Sequence, residues 1–105
     1  MRVVPFLSAA LLTTSCAPPV MFRVDVDEPI QVGTLTLNGR SAELMKNVDG
    51  AYWGKWNGSD AAGQIEIMFA DRKSATCRIG YVSHGITKIQ QFEVKKRVCN
   101  QVIYQ

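Results

Sequence analysis

The chain has one histidine, three cysteines and no apolar run long enough to cross a bilayer. The lone histidine, His84, is too little for a metal cluster of the usual His/Cys spacing. Ser83 precedes it, but neighbours on a tight turn do not point at each other, and no acid is placed to orient the imidazole. There is no Cys-x-x-Cys, no glycine-rich phosphate loop and no pair of carboxylates on one strand. The loop Asn57 to Glu66 has oxygen ligands but lacks the third ligand and the closing glutamate of a calcium loop. No pattern for a cofactor or for catalysis is left, so the chain reads as a non-enzyme. The longest apolar stretch, Val3 to Leu12, falls well short of the roughly 20 residues a span requires.

A helical period is also missing. Apolar residues alternate or cluster in short runs, with turn pairs recurring every eight to twelve residues or so. That pattern predicts an all-β domain: a small antiparallel meander of six or seven strands, closed as a barrel or folded as a sandwich. The best-specified unit is a hairpin. Val32 to Leu37 meets Arg40 to Met45 across Asn38-Gly39, a pair preferred where both central turn residues need positive φ. A two-residue turn sets Leu37 opposite Arg40, Leu35 opposite Ala42 and Gly33 opposite Leu44, which gathers the apolar side chains on one face. Further strands are expected at 51–57, 64–70, 75–82 and 86–94. Ile65, Ile67 and Phe69 share one face, and Cys77, Ile79 and Tyr81 another. A last strand is expected in the tail.

The amino terminus has another character. Arg2 precedes the apolar stretch Val3 to Leu12, which ends in Thr13-Thr14-Ser15-Cys16. A positive start, a short apolar stretch and small residues before a cysteine form an export signal. This segment resembles the lipobox of bacterial lipoprotein precursors. The resemblance implies cleavage before Cys16 and a diacylglycerol on its sulfur. Ala17 after the cysteine implies release to the outer membrane, with the domain facing the periplasm; a soluble secreted or periplasmic form is the alternative. On this reading residues 1–15 are the signal, 16–29 the lipid attachment and tether, and 30–105 a single β domain. Met21 to Val26 would add an edge strand at most. An exported chain enters an oxidising compartment, so the remaining pair, Cys77 and Cys99, is expected to be disulfide-bonded. In meander order the two cysteines would lie two strand spacings apart, beyond disulfide reach, so the tail must cross over the sheet or leave that order, and the crossing is expected.

Charge is unevenly spread. From Cys16 to Asp71 the balance is −4, and from Arg72 to Gln105 it is +6. Two candidate binding segments follow. Tyr52-Trp53-Gly54-Lys55-Trp56 resembles an early strand of small envelope lipoproteins, and Trp53 with Lys55 on one face suits a sugar or a partner's aromatic anchor. The triplet Lys95-Lys96-Arg97 suits anionic lipid headgroups or lipopolysaccharide. Nucleic acid does not fit the compartment. The expected function is a small lipid-anchored envelope protein that binds another envelope protein, a glycan or an outer-membrane component. The rival is an inhibitor that inserts the loop Gly58 to Gly63 into a hydrolase.

Overall fold

The computed structural model describes residues 19–58, 60–83 and 89–102. Residues 1–15, expected to be a signal, together with Cys16 and His84, lie outside the described residues. Nine strands form: β1 Val20–Val26, β2 Ile30–Leu37, β3 Arg40–Glu43, β4 Met45–Lys46, β5 Tyr52–Trp56, β6 Ala61–Phe69, β7 Ser74–Val82, β8 Gln90–Lys95 and β9 Val98–Gln101. They make a five-stranded sheet in the order β4-β5-β1-β8-β9 and a four-stranded sheet in the order β3-β2-β6-β7. The two pack as a sandwich. Neither sheet closes on itself, which removes the barrel alternative.

Alternating apolar residues of both sheets build the core. Phe22 and Val24 of β1 meet Leu35 and Leu37 of β2, Ile65, Ile67 and Phe69 of β6, and Phe92 and Val94 of β8, all buried. No polar or charged residue among the described ones is buried. Within the four-stranded sheet, Gly63 passes so close to β2 that a Cβ there would collide with the Thr36 carbonyl oxygen.

Three sequence expectations are corrected. First, residues 20–26 are not part of a tether or an edge. β1 is the central strand of its sheet, antiparallel to β5 and parallel to β8. Val20, Phe22 and Val24 are 2%, 0% and 0% exposed, because their alternation fits a core face. Second, the order is not a simple meander. A parallel pair requires the chain to leave and return, and here β2 through β7 intervene between β1 and β8. The 75–82 and 86–94 segments therefore form no hairpin; β7 and β8 lie in different sheets. Third, Tyr81 does not share the buried face of Cys77 and Ile79. Ala61 pairs with Val82 and Gly63 with Ile79, so β7 carries one extra residue. This bulge turns Tyr81 outward, where its hydroxyl donates to Asp60, and brings Val82 into the core.

The Asn38-Gly39 hairpin has the expected register, with φ of 50° and 79° at the turn. Leu44 then bends the chain, so that 40–46 leaves the four-stranded sheet as β3 and enters the other as β4. Cys77 of β7 is bonded to Cys99 of β9, with a Cα–Cα distance of 5.2 Å. The bridge spans the two sheets. Between the two cysteines the chain changes sheet from β7 to β8; the tail does not cross over but folds back on β8 as a plain hairpin.

Candidate functional site

The strand β5 presents two faces. Tyr52 and Trp56 turn inward and pack against the core. Trp53 and Lys55 turn outward, as alternation requires. Trp53 is half-buried there, between Met45 of β4 and Arg23 of β1 in the register. The Arg23 guanidinium lies 5.5 Å from its ring centroid and is itself held by Asp25 and Asp49 at 3.1 and 3.4 Å. The Trp53 Nε1 is buried with no hydrogen-bond partner. Trp53 is therefore a tile set into the sheet, not an open stacking platform. Lys55 is exposed and makes no ion pair among the described residues.

Two unpaired strand edges meet beside Lys55. β4 pairs with β5 only at Met45–Trp53 and Lys46–Tyr52, and no strand pairs with Gly54 and Lys55 on that side. β3 is the outer strand of the other sheet, and all four of its residues are exposed. Ala42 belongs to the inward face, opposite Leu35, yet it is uncovered because the facing sheet ends short of it. Between the two edges runs a groove in two joined parts. One part, of about 300 Å³, has Leu35 and Leu37 as its floor and Arg40, Lys55 and Trp56 in its walls. The other, of about 430 Å³, is lined by Met21, Met45, Trp53 and Ala42, with Glu43 at its rim. Arg40 stacks on Trp56, 4.8 Å from the ring centroid. No acidic residue lines the first part, whose lining includes two basic residues from opposite sheets, Arg40 and Lys55. Arg40, Leu35 and Ala42 were not singled out in the sequence. Each is ordinary within its own hairpin, and only the bend at Leu44 brings them opposite Lys55.

The basic triplet lies elsewhere, and its Arg97 is engaged by carboxylates. Lys96 and Arg97 form the β8–β9 turn, with φ of 51° and 66°. The Arg97 guanidinium is held by Glu28 at 2.9 Å and Asp71 at 2.7 Å, and it covers the Phe69 ring at 4.4 Å. Hydrogen bonds from these two carboxylates, Glu28 first, push the Arg97 pKa upward. In return the Arg97 hydrogen bond, with the Lys73 amide, holds Asp71 below the ordinary carboxylate value. The Lys96 amide donates to Asp27, and Lys95 lies 3.7 Å from Glu93. The acidic and basic halves of the chain thus meet in a clasp that ties three turns together.

Of the other candidates, Ser83 is exposed at the end of β7. Of the expected insertion loop Gly58 to Gly63, residues 61–63 belong to β6. Among the described residues no three His, Cys, Asp or Glu side chains group to hold a metal. Comparison with protein-family models, curated proteins and solved structures gives no match.

Proposed function

We propose that this is a lipid-anchored binding protein of the cell envelope, seated on the outer membrane, whose recognition surface is the groove between β3 and β5. The observation that carries the binding reading is the pair of open strand edges flanking an apolar floor with Arg40 and Lys55 in its walls. The lipobox-like segment supports the anchor, and the Cys77–Cys99 bond agrees with export to an oxidising compartment.

The position of β1 sharpens the arrangement. Val20 follows Cys16 by four residues, a reach of at most about 14 Å. An acylated Cys16 holds the Val20 end of the sandwich at the membrane. The Lys96–Arg97 turn lies beside Asp27, past the far end of β1, roughly 24 Å along the strand direction. Anionic lipid of the anchoring leaflet is therefore a poorer partner for Arg97 than Glu28 and Asp71. The groove favours binding over hydrolase inhibition, since residues 61–63 of the expected insertion loop are held in β6.

Two measurements test this. Cys16→Ser should abolish labelling by a fatty-acid analogue and move the protein to the soluble fraction; equal labelling of both proteins ends the anchor reading. A photo-crosslinking residue at position 42 or 55 should capture a discrete partner in intact cells, and one at Arg78, on the outer face of the other sheet, should not. Identical capture from all three positions would overturn the groove as the recognition surface.

A further inference from the structure

The geometry points to an extended peptide of a partner protein as the occupant of the groove, added as a strand to the free edge of β3 and carrying a carboxylate toward Arg40 and Lys55. This rests on the reading of the groove as the recognition surface.

Three observations specify the peptide. The first is the backbone. The Leu44 amide donates to the Gly33 carbonyl, so Arg40, Ala42 and Leu44 direct their backbone groups at β2. Alternation then turns the amides and carbonyls of Ser41 and Glu43 to the open side. A strand laid there continues the sheet order beyond β3 and satisfies those groups, the mode in which main-chain bonds supply affinity and alternate side chains supply specificity. The four residues of β3 offer an edge of about 14 Å.

The second is the depth below that edge. Side chains of an added strand alternate outward and inward, and the inward row drops into the groove. At the Arg40 end it meets Arg40 and Lys55 over Leu35 and Leu37, with no acid in the lining. At the Glu43 end it meets Met21, Met45 and Trp53, with Glu43 at the rim. One inward side chain is therefore a carboxylate, and the next inward one, two residues away, is apolar. A second acid at the Glu43 end would be repelled.

The third is exposure. Ala42, on the inward face, and Met45, 70% exposed, are the apolar positions the sandwich leaves uncovered at this seam. An added strand would roof both. Pairing of β3 with β3 of a second copy would also use Ser41 and Glu43. Antiparallel pairing of these residues, Ser41 to Glu43, places Arg40 opposite Leu44 of the other copy and leaves both cations without a counter-charge, so the peptide is the better occupant.

The test uses the protein purified in detergent from the envelope and a pool of capped hexapeptides. Each carries glutamate or aspartate two residues from valine, isoleucine or phenylalanine. Binding should slow amide exchange at Ser41 and Glu43 and leave Thr76 on β7 unaffected. A pool with lysine in place of the acid should bind more weakly by about tenfold or more, and so should the acidic pool against Lys55→Gln. Ser41→Pro removes one outward amide at an edge position, where proline is tolerated, and should abolish binding while melting stays close to wild type. If that variant fails to fold, a pool N-methylated at alternate residues removes the same bonds from the peptide side. Equal binding of the N-methylated pool would overturn strand addition. So would unchanged exchange at Ser41 and Glu43 at millimolar peptide, or protection that grows with protein concentration alone, which marks self-pairing. Crosslinks at 42 and 55 without amide protection would leave the groove as a binding surface and remove only the added strand. Absence of those crosslinks would remove the surface itself.

Discussion

Along one seam of the sandwich Cys77 of β7 is bonded to Cys99 of β9, and at the end of that seam Arg97 clamps Glu28 and Asp71 over Phe69. Along the opposite seam, where Leu44 carries the chain from one sheet to the other and Arg40 stacks on Trp56, no disulfide or ion pair among the described residues joins β3 to β5. The stapled seam has no apolar floor left uncovered at the bond, since Cys77 is 1% exposed. The open seam leaves Ala42 and Met45 bare. A chain of 105 residues has a small core to share between two seams. Covalent closure of one lets the other stay open without the sheets separating.

The sharpest way to break that contrast is to cut the staple. Cys77→Ala or Cys99→Ala should lower unfolding free energy by about 2–5 kcal/mol, read from urea unfolding of oxidised protein. A loss below about 0.5 kcal/mol would mean that the core alone holds the seam. Packing near the open seam gives a smaller effect. A Cβ at Gly54 would lie 2.7 Å from Leu44 Cδ2 and 3.1 Å from Leu35 Cδ2, the mobile ends of side chains beside the groove. Gly54→Ala should cost about 1 kcal/mol, whereas Gly63→Ala, which meets the backbone of Thr36, should cost more. Equal losses would show the open seam to be packed as rigidly as the centre.

The smallest expected effect is electrostatic and belongs to the clasp. The Arg97 hydrogen bond lowers the pKa of Asp71 below its ordinary 3.8. The carboxylate form is favoured in the folded state, so its stabilisation is present above that value and fades as pH falls through the lowered folded pKa. Asp71→Asn should melt slightly below wild type at neutral pH and merge with it in strong acid. A gap that widens on acidification would contradict the clasp. Asp71 is exposed and Arg97 only half-buried, so salt should shrink the gap as well.

Much of the sandwich was legible locally. The Asn38-Gly39 turn and the alternation around it specify the β2–β3 register, because a one-residue slip would turn every apolar side chain outward. The β8–β9 turn was not legible, since Lys96-Arg97 carries none of the residues that ease positive φ; contacts from Asp27, Glu28 and Asp71 hold it instead. Residues 20–26 have the alternation of a strand, but nothing local says that both edges will be paired. Of the site, Trp53 and Lys55 were visible as a pair on one face. Their partners across the groove were not, because Arg40, Leu35 and Ala42 belong to a hairpin complete in its own sequence.

What the sequence determined by itself is therefore short-range: period-two alternation, turn chemistry at Asn38-Gly39, an even pair of cysteines and the export-like start. These depend on backbone sterics and on which face of one strand is apolar, and neighbours a few residues apart decide them. The tertiary structure alone decided which sheet each strand joins, that β1 is central and parallel to β8, that Cys77 reaches Cys99 across the sandwich, and that one seam stays open. Those outcomes depend on how two apolar faces divide one small core between them. That division is a property of all the strands together and is written in no single segment.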